Sequence, residues 1–179
     1  MGLADQLTVA RAASVPVVAA LYVWEFPHHD YWATALFCLA MSTDWFDGRI
    51  ARSRGRASEL GSLLDPVADK LLVLTVLIVL VEDVFAAWMV AAIVARELLV
   101  SGLRLAALER GVVIRARELG KLKTWAQAVA AAIGGLAAAG AWSHSLAWWS
   151  LLVALALTWI SGLDYARVAP GLIRGRAVA

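Results

Sequence analysis

The sequence predicts an all-α integral membrane protein with six transmembrane helices. The chain of 179 residues is 62% hydrophobic and only 17% charged, whereas about a quarter of the residues in a soluble domain are charged. Its mean hydropathy is +0.75. Six apolar stretches, each near the roughly 20 residues that a spanning helix needs, are separated by short polar breaks. At this length we expect one domain covering residues 1–179.

The predicted spans follow one another with short connections. The first continues directly from the segment MGLADQLTVARAA, so we expect it to be retained and not cleaved as a signal peptide. The fifth is rich in Ala and Gly, which allow helix backbones to approach closely, so it should pack in the bundle interior or at a subunit contact. The spans are Leu7 to Phe26, Tyr31 to Ala51, Ser58 to Val81, Val84 to Leu108, Leu122 to Trp142 and Leu146 to Val168.

The breaks between the spans alternate in charge. EFPHHD, VEDV and SHS contain no Lys or Arg, whereas RSRGRA, ERGVVIRARELGKLK and the tail RVAPGLIRGRAVA are rich in basic residues, mostly Arg. The positive-inside rule therefore predicts that the basic breaks and both termini are cytoplasmic. Because no transit segment is evident, we expect the inner membrane of a bacterium. Aromatic residues predicted to form a belt at the outer interface are Trp24, Tyr31, Trp32, Phe85, Trp88, Trp142, Trp148 and Trp149.

The second span ends in an unusual polar stretch, DWFDGRIAR. Counted from Asp44, the positions Asp47, Gly48, Ala51 and Arg52 follow at offsets that trace one face of an α-helix. This face carries two carboxylates, two small residues and one guanidinium.

The third span repeats the pattern. Gly61, Asp65 and Asp69 are spaced by four, and Ser58 precedes Gly61 by three, so all four lie on one helical face. The loop between the second and third spans is short, so we expect the two helices to be antiparallel neighbours. Their acidic faces would then meet at the cytoplasmic end, where the small residues leave open space.

Four carboxylates in one cavity at membrane depth predict a metal centre. A buried charge costs several kcal/mol unless it is paired. Carboxylate oxygens suit Mg²⁺ or Mn²⁺, and two ions roughly 3.5–4 Å apart would clamp both sides of a phosphoryl displacement. Taken singly, each aspartate could equally be a helix cap or a solvated side chain. The convergence of all four favours the metal.

These residues resemble a known signature. Asp44-x-x-Asp47-Gly48-x-x-Ala51-Arg52, eight residues, then Gly61-x-x-x-Asp65-x-x-x-Asp69 is similar to the signature of the CDP-alcohol phosphatidyltransferases. The resemblance implies transfer from a CDP-linked lipid to an alcohol, with CMP leaving. It implies that the four aspartates hold two Mg²⁺ ions, with Mn²⁺ as the alternative. It also implies that Asp69 is the base that takes the proton of the attacking hydroxyl.

The same resemblance implies a site for the CDP-lipid. Gly48, Arg52 and Ser58 correspond to residues that line it, together with the start of the first span, and we include Ala51, Gly61 and Thr8. The start ADQLTVAR resembles the pattern N-x-L-T-x-x-R, except that Asp5 stands where Asn is expected. Thr8 and Arg11 keep the pattern.

The second half of the chain bears on the acceptor. ARELLVSGLRLAALERGVVI followed by GKLKTWAQ resembles the phosphatidylglycerophosphate synthase branch, in which the acceptor is glycerol 3-phosphate. Arg96 lies well inside the fourth span, where an arginine is a functional hypothesis by default. With Arg104, Lys121 and Lys123 it is predicted to bind the acceptor phosphate. The alternatives are that Arg96 pairs with a carboxylate, that Arg104 snorkels to the interface, and that the lysines face anionic headgroups.

Other functions remain open from sequence alone. The same chemistry could use phosphatidylglycerol, inositol phosphate or serine as acceptor. A transporter with an aspartate cation pathway would instead spread its carboxylates along the membrane normal. The predicted partners are CDP-diacylglycerol, glycerol 3-phosphate and membrane lipids, with no nucleic acid, and the resemblance implies a homodimer.

Overall fold

The computed structural model of the chain is a bundle of α-helices. The structure describes residues 3–54, 59–81, 83–109 and 118–173 of the chain, and the side chains of residues 9–43, 67–81, 83–107, 109 and 119–163. Within these ranges there are six helices: α1 (Leu3–Val23), α2 (His29–Arg54), α3 (Glu59–Val79), α4 (Ala87–Glu109), α5 (Glu118–Ala138) and α6 (His144–Ile173).

The prediction of six consecutive helices is confirmed, with shifts of a few residues at the ends. α4 begins at Ala87 and not at Val84, because the amides of Val84 and Phe85 donate to the carbonyl of Leu80 at 3.1 and 3.0 Å and close a turn. After α5, Gly140 has a φ of 75°. This left-handed conformation, which glycine adopts without strain, ends the helix.

Helix α5 lies inside the bundle, as its small residues predict. It packs most extensively against α6 and also contacts α2 and α3, while α4 packs on α6 and α3. Ala130 and Ala131 are fully buried. A side chain at Gly134 would collide with the ring of Phe85, and one at Gly135 would collide with the hydroxyls of Thr34 and Tyr22. The missing side chains therefore allow α1, α2 and the turn before α4 to reach the α5 backbone.

The expected pairing of α2 with α3 involves their cytoplasmic ends, whose side chains lie outside the described part of the structure, so it stays a prediction. α1 packs extensively against both helices, and direct contact between α2 and α3 is at most slight over the residues that the structure describes. α1 makes these contacts through its apolar face, where Val18 and Tyr22 are buried against the core. The described parts of α2 and α3 are thus connected through α1.

The outer surface of the bundle is apolar and its interior holds charges. Leu98, Leu99 and Leu105 on α4 are each at least 60% exposed, whereas Arg96 and Glu97 on the same helix are 3% exposed. This inverts the pattern of a soluble protein and is expected for a helix surrounded by lipid. Most of the predicted belt residues are exposed, but Phe85 is buried at 2% and belongs to the core, because Gly134 leaves room for its ring.

One segment of the described chain, His144–Leu163, is long and apolar enough to cross a membrane by length and composition. Val9–Val23 is apolar but shorter. In α4, the charged residues Arg96, Glu97 and Arg104 interrupt an otherwise apolar helix.

Candidate functional site

Most of the predicted metal and CDP-lipid residues have side chains outside the described part of the structure. Their backbones are helical, with Thr8 in α1, Asp44, Asp47, Gly48, Ala51 and Arg52 in α2, and Gly61 and Asp65 in α3. Ser58 lies outside the described residues. The convergence of the four carboxylates therefore stays a prediction.

Asp69 is the member of this set whose side chain is described. Its Oδ1 accepts a hydrogen bond from Nη1 of Arg11 at 2.7 Å. The side chain of Arg11 is 1% exposed and that of Asp69 is 20% exposed. Nε of Arg11 also donates to the carbonyl of Ala40 on α2 at 3.4 Å. One guanidinium thus joins α1, α2 and α3 beside Asp69.

A second group of charged side chains surrounds Glu97 in the bundle interior. Oε1 of Glu97 accepts from Nη1 of Arg96 at 2.9 Å and from Nζ of Lys123 on α5. Nζ of Lys70, on α3, lies 3.6 Å from Oε2 of Glu97 and donates to Oγ of Ser101 at 2.9 Å. We call Lys70, Arg96, Glu97 and Lys123 the Glu97 cluster. A buried charge is tolerated when it is paired, and in this cluster one carboxylate pairs with cations from three helices.

Arg96 also ties the cluster to α6. Its Nη2 donates to Oγ of Ser161, which in turn donates to the carbonyl of Thr158 at 3.0 Å. A side chain at Gly162 would lie 3.0 Å from Nε of Arg96, so glycine at this position leaves room for the guanidinium. Among the described residues, Nε of Arg96 is buried without a hydrogen-bond partner.

The predicted acceptor-phosphate residues do not form one group. Arg96 and Lys123 meet at Glu97, which agrees with the alternative that Arg96 pairs with a carboxylate. Lys121 is exposed and Arg104 is half-buried. The burial of Lys123 follows from helix geometry, since it lies two residues from Lys121 and so faces a different side of α5.

A cavity of about 690 Å³ lies at the other end of the bundle, where α1 and α3 end and α2 begins. Its wall includes Glu25, Asp30 and Asp83. Burial raises the pKa of the Asp30 carboxyl group, the imidazole of His29 opposes this rise, and the carboxylate of Asp83 adds to it. None of the predicted site residues lines this cavity.

The described residues are compatible with a divalent cation at Asp69. The side chain of Asp69 is 20% exposed, and carboxylate oxygens are the ligands that hard divalent cations prefer. The adjacent guanidinium of Arg11 repels a cation. An ion at Asp69 would therefore need further carboxylate ligands, which Asp44, Asp47 and Asp65 would supply. Within the described residues no group of three His, Cys, Asp or Glu side chains is placed to hold a metal.

Three residues have roles in this geometry that sequence reasoning missed. In the sequence, Arg11 is only a matching position of a pattern, Glu97 is only a neighbour of Arg96, and Lys70 belongs to no predicted site. The signal for Lys70 was its place directly after Asp69. The signal for Glu97 was a carboxylate inside an apolar span, which needs a cationic partner.

Comparison with known proteins identifies the family. The model of the CDP-alcohol phosphatidyltransferase family matches residues 1–160. A Bacillus subtilis protein named CDP-diacylglycerol--glycerol-3-phosphate 3-phosphatidyltransferase is 40% identical over 141 residues, covering 72% of this chain and 73% of its own. A probable phosphatidylglycerophosphate synthase of Mycobacterium tuberculosis is 41% identical over 167 residues, with coverage of 91% and 79%. A Blochmanniella floridana protein with the same name as the Bacillus relative is 36% identical over 157 residues, with coverage of 85% and 82%.

Proposed function

The chain belongs to the CDP-alcohol phosphatidyltransferase family, and we propose that it transfers the phosphatidyl group of CDP-diacylglycerol to glycerol 3-phosphate. The products are phosphatidylglycerophosphate and CMP. The names of the relatives at 35–41% identity support this reaction and this acceptor. The structural observation that carries the proposal is the partly accessible carboxylate of Asp69. The next residue on α3, Lys70, belongs to the Glu97 cluster, in which three cations surround one carboxylate.

Asp69 is the proposed general base. In the reaction, the acceptor oxygen forms a bond to the phosphorus of the phosphatidyl group, the bond from that phosphorus to the CMP oxygen breaks, and the hydroxyl proton passes to Asp69. A positioned base is needed because an alcohol is a poor nucleophile at neutral pH. The hydrogen bond from Arg11 holds the carboxylate of Asp69 at a fixed place in the bundle.

The family is generally dependent on a divalent metal. We propose that Asp44, Asp47, Asp65 and Asp69 hold two ions, with Mg²⁺ preferred over Mn²⁺. When bound, such ions neutralise the diphosphate and stabilise the charge of the transferring phosphoryl group. The protein contributes the carboxylates, and Gly48, Ala51, Arg52, Ser58, Gly61 and Thr8 are the proposed contacts of the CDP-lipid.

For the acceptor phosphate we propose Arg104 and Lys121 as contacts, with Arg96 and Lys123 supplying positive charge from the interior. Arg104 and Lys121 are the accessible members, since they are half-buried and exposed. The buried pair raises the positive potential without needing to touch the phosphate. A cationic pocket suits a small acidic acceptor, whereas phosphatidylglycerol would require a second lateral opening for its acyl chains.

We further propose that all six helices span the inner membrane with both termini and the active site on the cytoplasmic side. The exposed apolar surface of the bundle and the bacterial origin of the relatives support this location. In this orientation the acyl chains of the substrate can extend laterally between helices into the bilayer. The homodimer stays a prediction from the resemblance.

The test is a turnover assay on the purified full-length protein in lipid nanodiscs. CDP-diacylglycerol and Mg²⁺ are supplied with glycerol 3-phosphate, phosphatidylglycerol, inositol phosphate or serine in separate reactions. CMP release is measured, and the lipid product is identified by mass spectrometry. We expect release with glycerol 3-phosphate and a product with the mass of phosphatidylglycerophosphate.

Two controls make the result specific. Asp69→Asn should abolish release, whereas Asp83→Asn, an exposed carboxylate at the other end of the bundle, should leave it unchanged. Release with another acceptor but not with glycerol 3-phosphate would overturn the acceptor. No release with any acceptor from a folded protein would overturn the reaction.

A further inference from the structure

We propose that Lys70 is an additional contact for the phosphate of the acceptor and that Glu97 positions it. This inference rests on the proposed function, because it assigns a residue to the same acceptor. Lys70 is not among the residues predicted from the sequence, and its role follows from where the structure holds its ammonium group.

The ammonium group of Lys70 is held at one place but is not enclosed. Nζ donates to Oγ of Ser101 at 2.9 Å and lies 3.6 Å from Oε2 of Glu97. The side chain is 34% exposed, compared with 3% for Arg96 and 7% for Lys123. Lys70 is therefore the member of the Glu97 cluster that a solute can reach.

The charge of the cluster favours an anion at that accessible end. Three cations surround one carboxylate, which leaves two positive charges unbalanced within these four side chains. Glu97 is 4% exposed and already accepts from Arg96 and Lys123, so its pairing with the more distant Lys70 is the weakest of the three. A phosphate monoester carries up to two negative charges and can accept from a lysine ammonium as a point charge.

The position of Lys70 along α3 relates it to the reacting hydroxyl. Asp69 and Lys70 are consecutive, so their side chains leave the helix about 100° apart. Asp69 meets Arg11 on α1, whereas Lys70 meets Ser101 on α4. Asp69 and Lys70 can therefore contact the two ends of one short acceptor, with Asp69 at its hydroxyl and Lys70 at its phosphate.

A purely structural role for Lys70 makes a different prediction. If Lys70 served only to neutralise Glu97, its removal would change stability and leave substrate affinity unaltered. Glu97 would also keep its two closer cations. Kinetics with the two substrates separate these roles.

The experiment compares the wild type with Lys70→Met, Lys70→Arg and Ser101→Ala in nanodiscs. We expect Lys70→Met to raise the KM for glycerol 3-phosphate at least about tenfold, as expected for a lost charge-assisted hydrogen bond. The KM for CDP-diacylglycerol should stay within about twofold. Lys70→Arg keeps the charge and should restore most of the affinity. Ser101→Ala keeps the ammonium and should raise the same KM only slightly.

At one fixed concentration, glycerol 3-phosphate should also raise the thermal unfolding midpoint of Lys70→Met by less than that of the wild type, because binding is weaker. This shift gives a readout when turnover is lost. A wild-type enzyme that releases no CMP with glycerol 3-phosphate would contradict the proposed function itself. An active wild type combined with an unchanged KM in Lys70→Met would overturn the role of Lys70 alone. A normal thermal shift in an inactive but folded Lys70→Met would do the same.

Discussion

Nη1 of Arg11 and Oδ1 of Asp69 lie 2.7 Å apart, and this ion pair joins the first helix to the third in the interior of the bundle. Arg11 is 2% exposed as a residue, so its charge depends on partners within the protein. The proposed base is thus held by a residue that also contacts α2 through the carbonyl of Ala40.

Removing Arg11 should destabilise the protein as well as inactivate it. Arg11→Met leaves the partly buried carboxylate of Asp69 without this cation, and breaking such a pair costs about 3 kcal/mol. Thermal unfolding followed by circular dichroism should show a lower midpoint, and CMP release should fall to background. Arg11→Lys should recover part of the stability, because an ammonium can still pair with Asp69. An unchanged midpoint in Arg11→Met would contradict a structural role for the pair.

A divalent cation should stabilise the folded protein through Asp69. Mg²⁺ at 100 times its Kd adds about 2.7 kcal/mol if it binds the folded state alone. We expect Mg²⁺ to raise the unfolding midpoint of the wild type and EDTA to reverse the rise. Asp69→Asn should reduce the rise, and Asp83→Asn should keep it. Equal rises in both variants would place the cation elsewhere.

Removing the carboxylate of the Glu97 cluster should cost more stability than removing one of its cations. Glu97→Gln leaves two buried cations and Lys70 without their carboxylate, so it should cost about 3 kcal/mol of stability. Lys123→Met leaves Glu97 paired with Arg96 and Lys70, so its cost should be about 1 kcal/mol or less. Unfolding midpoints measured side by side give the comparison. Similar losses in both variants would mean that Glu97 is not the shared partner.

The two glycines Gly135 and Gly102 form a matched pair for testing the packing of α5. A Cβ at Gly135 would collide with the hydroxyls of Thr34 and Tyr22, which share a hydrogen bond of 2.9 Å, so Gly135→Ala should cost about 1–3 kcal/mol. At Gly102 nothing lies within 4 Å, so Gly102→Ala should be neutral or stabilise α4 by up to about 1 kcal/mol. A stable Gly135→Ala would show that α2 does not approach α5 so closely.

The proposed orientation can be tested by labelling. The chain has one cysteine, Cys38, so Cys38→Ser provides a background for single new thiols. In intact cells a membrane-impermeant maleimide should label Ser143→Cys, in the turn before α6, and should label Lys121→Cys only after lysis. The reverse pattern would invert the orientation, and labelling of both in intact cells would contradict six spans.

Local patterns in the sequence were enough to predict the helices and the family. Period and hydropathy depend on neighbouring residues, and they predict six helices within a few residues of those observed. The acidic motif spans two helices at fixed offsets, so it indicates the family and the reaction without knowledge of packing. The interior position of α5 likewise follows from its own composition.

The partners of charged side chains were decided by tertiary structure alone. Arg11 and Asp69 are 58 positions apart, and Lys123 and Glu97 are 26 apart, so no local period relates them. Each pair forms because a charge inside an apolar bundle must find an opposite charge on whichever helix packs beside it. Helix packing also depends on residues that are distant in the chain. The sequence therefore did not predict the packing of α1 on both α2 and α3 or the burial of Phe85 against Gly134. Composition fixes which residues need partners, and the arrangement of the helices fixes which partners they receive.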